Sequence, residues 1–201
     1  AGTASGSDWP EWCGQASRNM AAKSHERLPE SADCALENDA DEVDLRLTKN
    51  VKWAAKLGRL TTGSPVVSRG RVFVGTTWQD GKEACLSCFD EETGRRLGAF
   101  ICPRPARDNL ERWAISSTPT IEGDRLYFVS PYQEAMCLDL KILLGGRDQG
   151  EGEDRPQSAK ADKAAVERIS SKSIVWRYDM LDKLKAYYHH TASSSVLVHG
   201  E

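Results

Sequence analysis

Cysteine, acidic and histidine clusters are where this sequence could do chemistry. It carries six cysteines in 201 residues, and Cys85 and Cys88 stand in a Cys-x-x-Cys spacing. That spacing suits a metal-ligating or redox pair, but no second pair follows at zinc-site spacing, and no His follows Cys88 as haem attachment would need. On a strand, side chains three apart leave opposite faces. The run Cys85-Leu86-Ser87-Cys88-Phe89 therefore favours two small buried hydrophobes over a reactive pair. Cys13 and Cys34 share the N-terminal arm and could staple it in an oxidising compartment; Cys102 has no evident partner. Asp148, Glu151, Glu153 and Asp154 offer hard oxygen donors in a Gly-rich stretch. The calcium-loop register, with carboxylates at alternate positions and a closing Glu, is missing, so a solvated loop is favoured. His189-His190 is an adjacent pair whose side chains diverge, and Arg104, Arg107 and Arg112 could face an anion or simply solvent. No nucleophile elbow, P-loop or Gly-x-Gly-x-x-Gly is present.

The elements that must position these residues are repeated. Ser64-Pro65-Val66-Val67-Ser68-Arg69-Gly70-Arg71-Val72-Phe73-Val74 is matched by Thr118-Pro119-Thr120-Ile121-Glu122-Gly123-Asp124-Arg125-Leu126-Tyr127-Phe128-Val129. Proline to aromatic is eight residues both times. A third copy starts at Ser194-Ser195-Val196-Leu197-Val198-His199-Gly200. Each reads as a β-hairpin: short strand, turn, then a β-branched and aromatic strand. Cys88-Phe89-Asp90 is repeated as Cys137-Leu138-Asp139, and Asp90 with Thr93-Gly94 predicts a tight turn, since Asp accepts from turn amides and Gly tolerates positive φ. Closing strands are expected at Arg95–Leu97 and Ile174–Tyr178, and a strand resembling the latter at Asn50–Ala55. Each unit is then four antiparallel strands, the content of one propeller blade.

The order "strand ending in Trp, small-Pro-Val-Val, Gly-Arg-Val-Phe-Val, Cys-Phe-Asp-x-x-Thr-Gly" resembles the pyrroloquinoline-quinone-type (PQQ-like) β-propeller repeat. Asp8-Trp9-Pro10-Glu11-Trp12 with Arg18-Asn19-Met20 resembles the N-terminal stretch of planctomycete-type members. The resemblance implies that Cys88, Asp90, Thr93 and Gly94, with Cys137 and Asp139, are repeat-motif residues, and that Trp53 and Trp176 dock between neighbouring blades. Gly98 stands where the motif has Trp, which would weaken docking there. It also implies an export route, periplasmic or extracellular, and two functions: a non-catalytic scaffold or binding module of the cell envelope, or part of a quinoprotein alcohol or sugar dehydrogenase. The latter would hold PQQ and calcium on the axis of a complete propeller. No catalytic or cofactor residue can be assigned from this stretch, and it lacks the adjacent cysteines of methanol-dehydrogenase-type enzymes.

Composition bounds the rest. A net charge of −3 from 27 basic and 30 acidic residues speaks against nucleic acid as the main partner. No run approaches the ~20 apolar residues of a membrane span. The fold expected is all-β, partial propeller, with short surface helices in insertions. Residues 1–49 form an arm whose 42–47 run alternates like a strand. Residues 50–201 hold two blades and the start of a third, as a fragment of a longer propeller would. Residues 141–173 are expected to leave the second blade as a surface insertion, with helices near 160–169 and 179–190, because a buried loop strands backbone polar groups. Loops 101–113 and 141–190 are the candidate surfaces for a protein or glycan partner. The predicted core is Val66, Val72, Val74, Leu86, Cys88, Ile121, Leu126, Phe128, Cys137 and Trp176.

Overall fold

Two of the three expected hairpin copies form in the computed structural model, which describes residues 8–15, 17, 30–33, 43–78, 81–105, 114–145, 163–187 and 192–199; the start of the third, residues 194–199, belongs to no strand. Strand β1 (Val66–Ser68) pairs antiparallel with β2 (Arg71–Thr77), Val66 facing Phe73. Strand β5 (Thr120–Glu122) pairs with β6 (Arg125–Val129), Thr120 facing Tyr127. The first turn needs positive φ at both Arg69 (52°) and Gly70 (72°), the backbone that matches the twist of a two-residue hairpin. Strands β3 (Ala84–Asp90) and β4 (Arg96–Ile101) complete the first sheet, and β7 (Glu134–Asp139) and β8 (Ile174–Asp179) the second. Each sheet is antiparallel and up-and-down, in the order β1-β2-β3-β4 and β5-β6-β7-β8. Among the described residues the regular structure is mostly strand, and neither sheet closes on itself. In both sheets the register shifts directly after the repeated cysteine, at Cys88/Phe89 and at Cys137/Leu138.

The sheets share one core, and they stack head to tail. Val66, Phe73, Leu86, Cys88 and Phe100 of the first sheet pack with Leu126, Phe128, Met136 and Leu138 of the second. Phe100 meets Phe128 edge-on at 5.8 Å, a favoured aromatic geometry. In the repeat alignment Phe73 corresponds to Tyr127 and Cys88 to Cys137. Those residues lie on the outer side of the second sheet, opposite the side that docks. The face by which the first sheet binds the second is thus the face that the second turns outward.

Several sequence expectations are corrected. Asn50–Ala55 joins no sheet. It lies against the outer side of the first sheet with burial alternating from Val51 to Leu57. The chain is then anchored by Thr77 N donating to Leu60 O at 3.1 Å and Gly58 N to Thr76 Oγ1 at 3.0 Å. The alternating run near 42–47 is not a strand: Leu45–Leu47 turn, because Asp44 Oδ1 accepts from Arg46 N at 3.0 Å and Asp44 O from Leu47 N at 3.0 Å. That local side-chain bond competes with strand pairing. Trp176 is 44% exposed and Val72 only half-buried, whereas the other eight expected core residues are buried.

The insertion is no simple surface excursion. Helix α1 (Leu140–Leu143) turns Leu143 and Leu144 into the shared core. Helix α2 (Lys163–Ser173), in the expected region, packs on β4. There Ser170 Oγ accepts from Ile101 N at 2.9 Å, closing a backbone donor at the sheet edge. Helix α3 (Met180–Leu184) follows β8. Among the described residues no helix is long and apolar enough to cross a membrane.

Candidate functional site

The repeat-motif residues build a turn and its copy. Asp90 Oδ1 accepts from Thr93 N at 2.8 Å and from Thr93 Oγ1 at 2.7 Å, while Gly94, at φ 70°, donates its N to Asp90 O at 2.9 Å. Burial alone would raise the Asp90 carboxyl, but the bonds from Thr93 and Glu92 and the nearby Arg95 outweigh it and hold the pKa below the usual carboxylate range. Asp139 has the same role in the second unit. Its Oδ1 accepts from Lys141 N at 2.9 Å and Ile142 N at 3.2 Å, so the repeat aspartate becomes the N-cap of α1. Arg125 also bonds the Asp139 carboxylate. Partial burial again pushes this carboxyl up, and the backbone and arginine bonds bring it down. One residue type at one repeat position thus caps a turn in the first unit and starts the inserted helix in the second.

The two candidate docking tryptophans are placed differently. Trp53 lies on the turn of the first sheet: its Nε1 donates to Glu91 O at 2.8 Å, its ring stacks near Phe89 at 6.3 Å, and a Cβ at Gly94 would stand 2.6 Å from the indole. Trp176 sits on the outer side of the second sheet, 6.2 Å from the Tyr127 ring and half in solvent. Gly98, where the resemblance led to an expected Trp, has its space filled from elsewhere: the Leu144 side chain lies 3.1 Å from where its Cβ would be. That partner was not legible in the sequence.

The Cys-x-x-Cys pair divides between two surfaces. Cys88 belongs to the shared core, and Cys85 packs with Trp78, Ala99 and Ile101 on the other side. Burial pushes the Cys85 thiol up to about 11 and Cys88 up to about 12. Burial likewise lifts Cys102 and Cys137. A neutral buried thiol is a poor nucleophile and a poor metal ligand. Cys13 is a buried free thiol; its candidate partner Cys34 lies outside the described residues, as do Arg107, Arg112, His189-His190 and the acidic stretch 148–154.

Among the described residues two surfaces could take a ligand. A cleft of about 510 Å³ opens between the end of β4 and α2, and Lys82, Glu83, Cys102, Arg104, Glu167 and Ser171 line it. Its mixed charge selects no ligand class. The other surface is the outer side of the second sheet. There Tyr178 and Trp176 are two apart on β8 and so on one face, 43% and 44% exposed, and Trp176 stands beside Tyr127. The third hairpin copy reaches it: Thr120 Oγ1 donates to Val196 O at 2.6 Å. Among the described residues no three His, Cys, Asp or Glu side chains gather as metal ligands, and the first strands of both sheets carry the N-terminal segment along their edges.

In comparisons with known proteins, no family model and no curated sequence matches this chain.

Proposed function

We propose that the chain is a non-catalytic PQQ-like propeller-repeat scaffold of the cell envelope, and that its outer aromatic face is a docking surface. The observation that carries this reading is the head-to-tail stacking. The face of the first sheet built on Phe73 and Cys88 is buried by the second sheet. Its repeat equivalent, built on Tyr127, Cys137 and Trp176, has the same strand pairing; Cys137 is buried there, but Trp176 stays 44% exposed. A third sheet of the same repeat, led by Val196–Val198, would cover it, and Val196 O already accepts from Thr120 Oγ1. Trp176 would then be enclosed by that sheet, much as Trp53 is enclosed by the first. Envelope localisation rests on the sequence resemblance.

Sedimentation velocity tests the face. An open apolar surface of this kind associates as concentration rises, and Trp176→Asp with Tyr178→Asp abolishes that association while leaving the circular dichroism spectrum intact. A wild-type chain that stays monomeric to high concentration opposes the docking reading. Titration with PQQ and calcium tests the scaffold reading separately: saturable binding with dye-linked alcohol oxidation would replace it with the quinoprotein dehydrogenase.

A further inference from the structure

The N-terminal segment is held by three consecutive residues at one place in the fold. Trp9 and Val67 exchange both backbone bonds, Trp9 N to Val67 O at 2.7 Å and Val67 N to Trp9 O at 2.9 Å. The next residue crosses to the other sheet: Ile121 N donates to Pro10 O at 2.8 Å. Val67 and Ile121 are equivalent repeat positions, at the centres of β1 and β5. Each lies on the edge away from the hairpin partner. On the other flank, Asp8 Oδ1 accepts from Arg69 N at 3.0 Å, capping the strained β1–β2 turn.

The sequence of the segment suits this geometry. A residue before proline is pushed toward extended backbone, which lets Trp9 pair with β1. Proline lacks an N–H, so pairing to the first sheet ends there, and only its carbonyl is offered to the second. Beyond it the chain folds back, with Gly14 N donating to Glu11 O at 2.8 Å and positive φ at Cys13 and Gly14. This hook grips the indole: a Cβ on Gly14 would come within 2.6 Å of the Trp9 ring.

We propose that the aligned edges of β1 and β5 form one binding site for an extended peptide bearing Asp-Trp-Pro, and that the chain fills it in cis with residues 8–15. Main-chain pairing supplies the attachment, as in other strand-addition sites. The Asp cap, the ring in its hook and the proline at the crossing supply selectivity. Because the segment bonds both sheets, it braces one against the other. The proposal stands apart from whatever covers the outer aromatic face.

Three amides report on the site: Val67, Arg69 and Ile121. In the full chain, Trp9→Ala should raise hydrogen exchange at all three together by tenfold or more, and Asp8→Ala, a milder change, should do so by a smaller common factor. A fluorophore-labelled synthetic peptide of residues 8–15 should then bind saturably to the Trp9→Ala chain and fail to bind wild type, whose site is filled. The same peptide with its Trp replaced by Ala should not bind. Exchange that rises only at Arg69 in Asp8→Ala, or only at Val67 in Trp9→Ala, would overturn the single site. So would a peptide that ignores a variant whose three amides have been freed. If Trp9→Ala does not fold, the Asp8→Ala exchange pattern and its peptide titration decide the question alone.

Discussion

Replacing Gly94 by Ala isolates the contact on which the first repeat turn depends. Gly94 has φ 70°, and its missing side chain faces the Trp53 indole at 2.6 Å. An alanine there incurs about 1–2 kcal/mol for left-handed backbone. It also forces the indole out of place, an overpacking of about 1–3 kcal/mol, and strains the Trp53 Nε1 bond to Glu91 O. Gly123 is the control. It too has positive φ, 56°, but nothing lies within 4 Å of its missing Cβ. Gly123→Ala therefore carries the backbone cost alone, and the gain from restricting the unfolded chain is common to both. The expected difference is about 1–3 kcal/mol, read from urea unfolding by far-ultraviolet circular dichroism. In a Trp53→Ala background the difference should collapse. Equal costs for the two alanines, within about 0.5 kcal/mol, would refute the claim that Trp53 is seated on this turn.

Ser170→Ala removes the acceptor of a buried backbone donor, Ile101 N, and should cost about 1–3 kcal/mol, with faster hydrogen exchange at Ile101. Shortening 147–160 while keeping Leu144 and α2 should cost little by calorimetry, because loop length enters stability only logarithmically. The Asp90 and Asp139 carboxyls are held below their ordinary value. Their stabilisation is present above about pH 4 and is lost as pH falls through the folded values. Acid unfolding of Asp90→Asn with Asp139→Asn should accordingly show a shallower loss below about pH 4 than wild type. Burial raises Cys85 and Cys88 to about 11 and 12, so the stability from keeping them neutral is full below about pH 8.5 and falls as pH rises toward those values. Native protein at neutral pH should leave both unalkylated by iodoacetamide, and urea should expose them, as mass spectrometry would show.

Much of the sheet architecture was legible because its causes are local. Eight-residue spacing from proline to aromatic, turn residues that accept positive φ, and period-two alternation set two hairpins and their registers without reference to anything distant. The Cys-x-x-Cys pair was legible for the same reason, since a strand sends side chains three apart to opposite sides. Trp176 was misplaced because alternation says which face a residue occupies, not whether another sheet covers it. The start of the insertion was misread because loop entropy argues for the surface, whereas Leu143 and Leu144 found apolar space over Gly98 that only the packed sheets create.

The amino-acid sequence by itself determined the repeated hairpins, the strand pairs within each unit and the turn at Asp90, all fixed by backbone propensity and hydrogen bonds between near neighbours. Only the tertiary structure decided which faces meet, that Trp53 is seated while Trp176 stays open, and that Trp9 and Pro10 join equivalent positions of two sheets. Those contacts link residues far apart in the chain. Their free energy comes from apolar burial and from backbone groups paired across elements; alternation marks a face as apolar, but nothing in the sequence names the distant partner it meets.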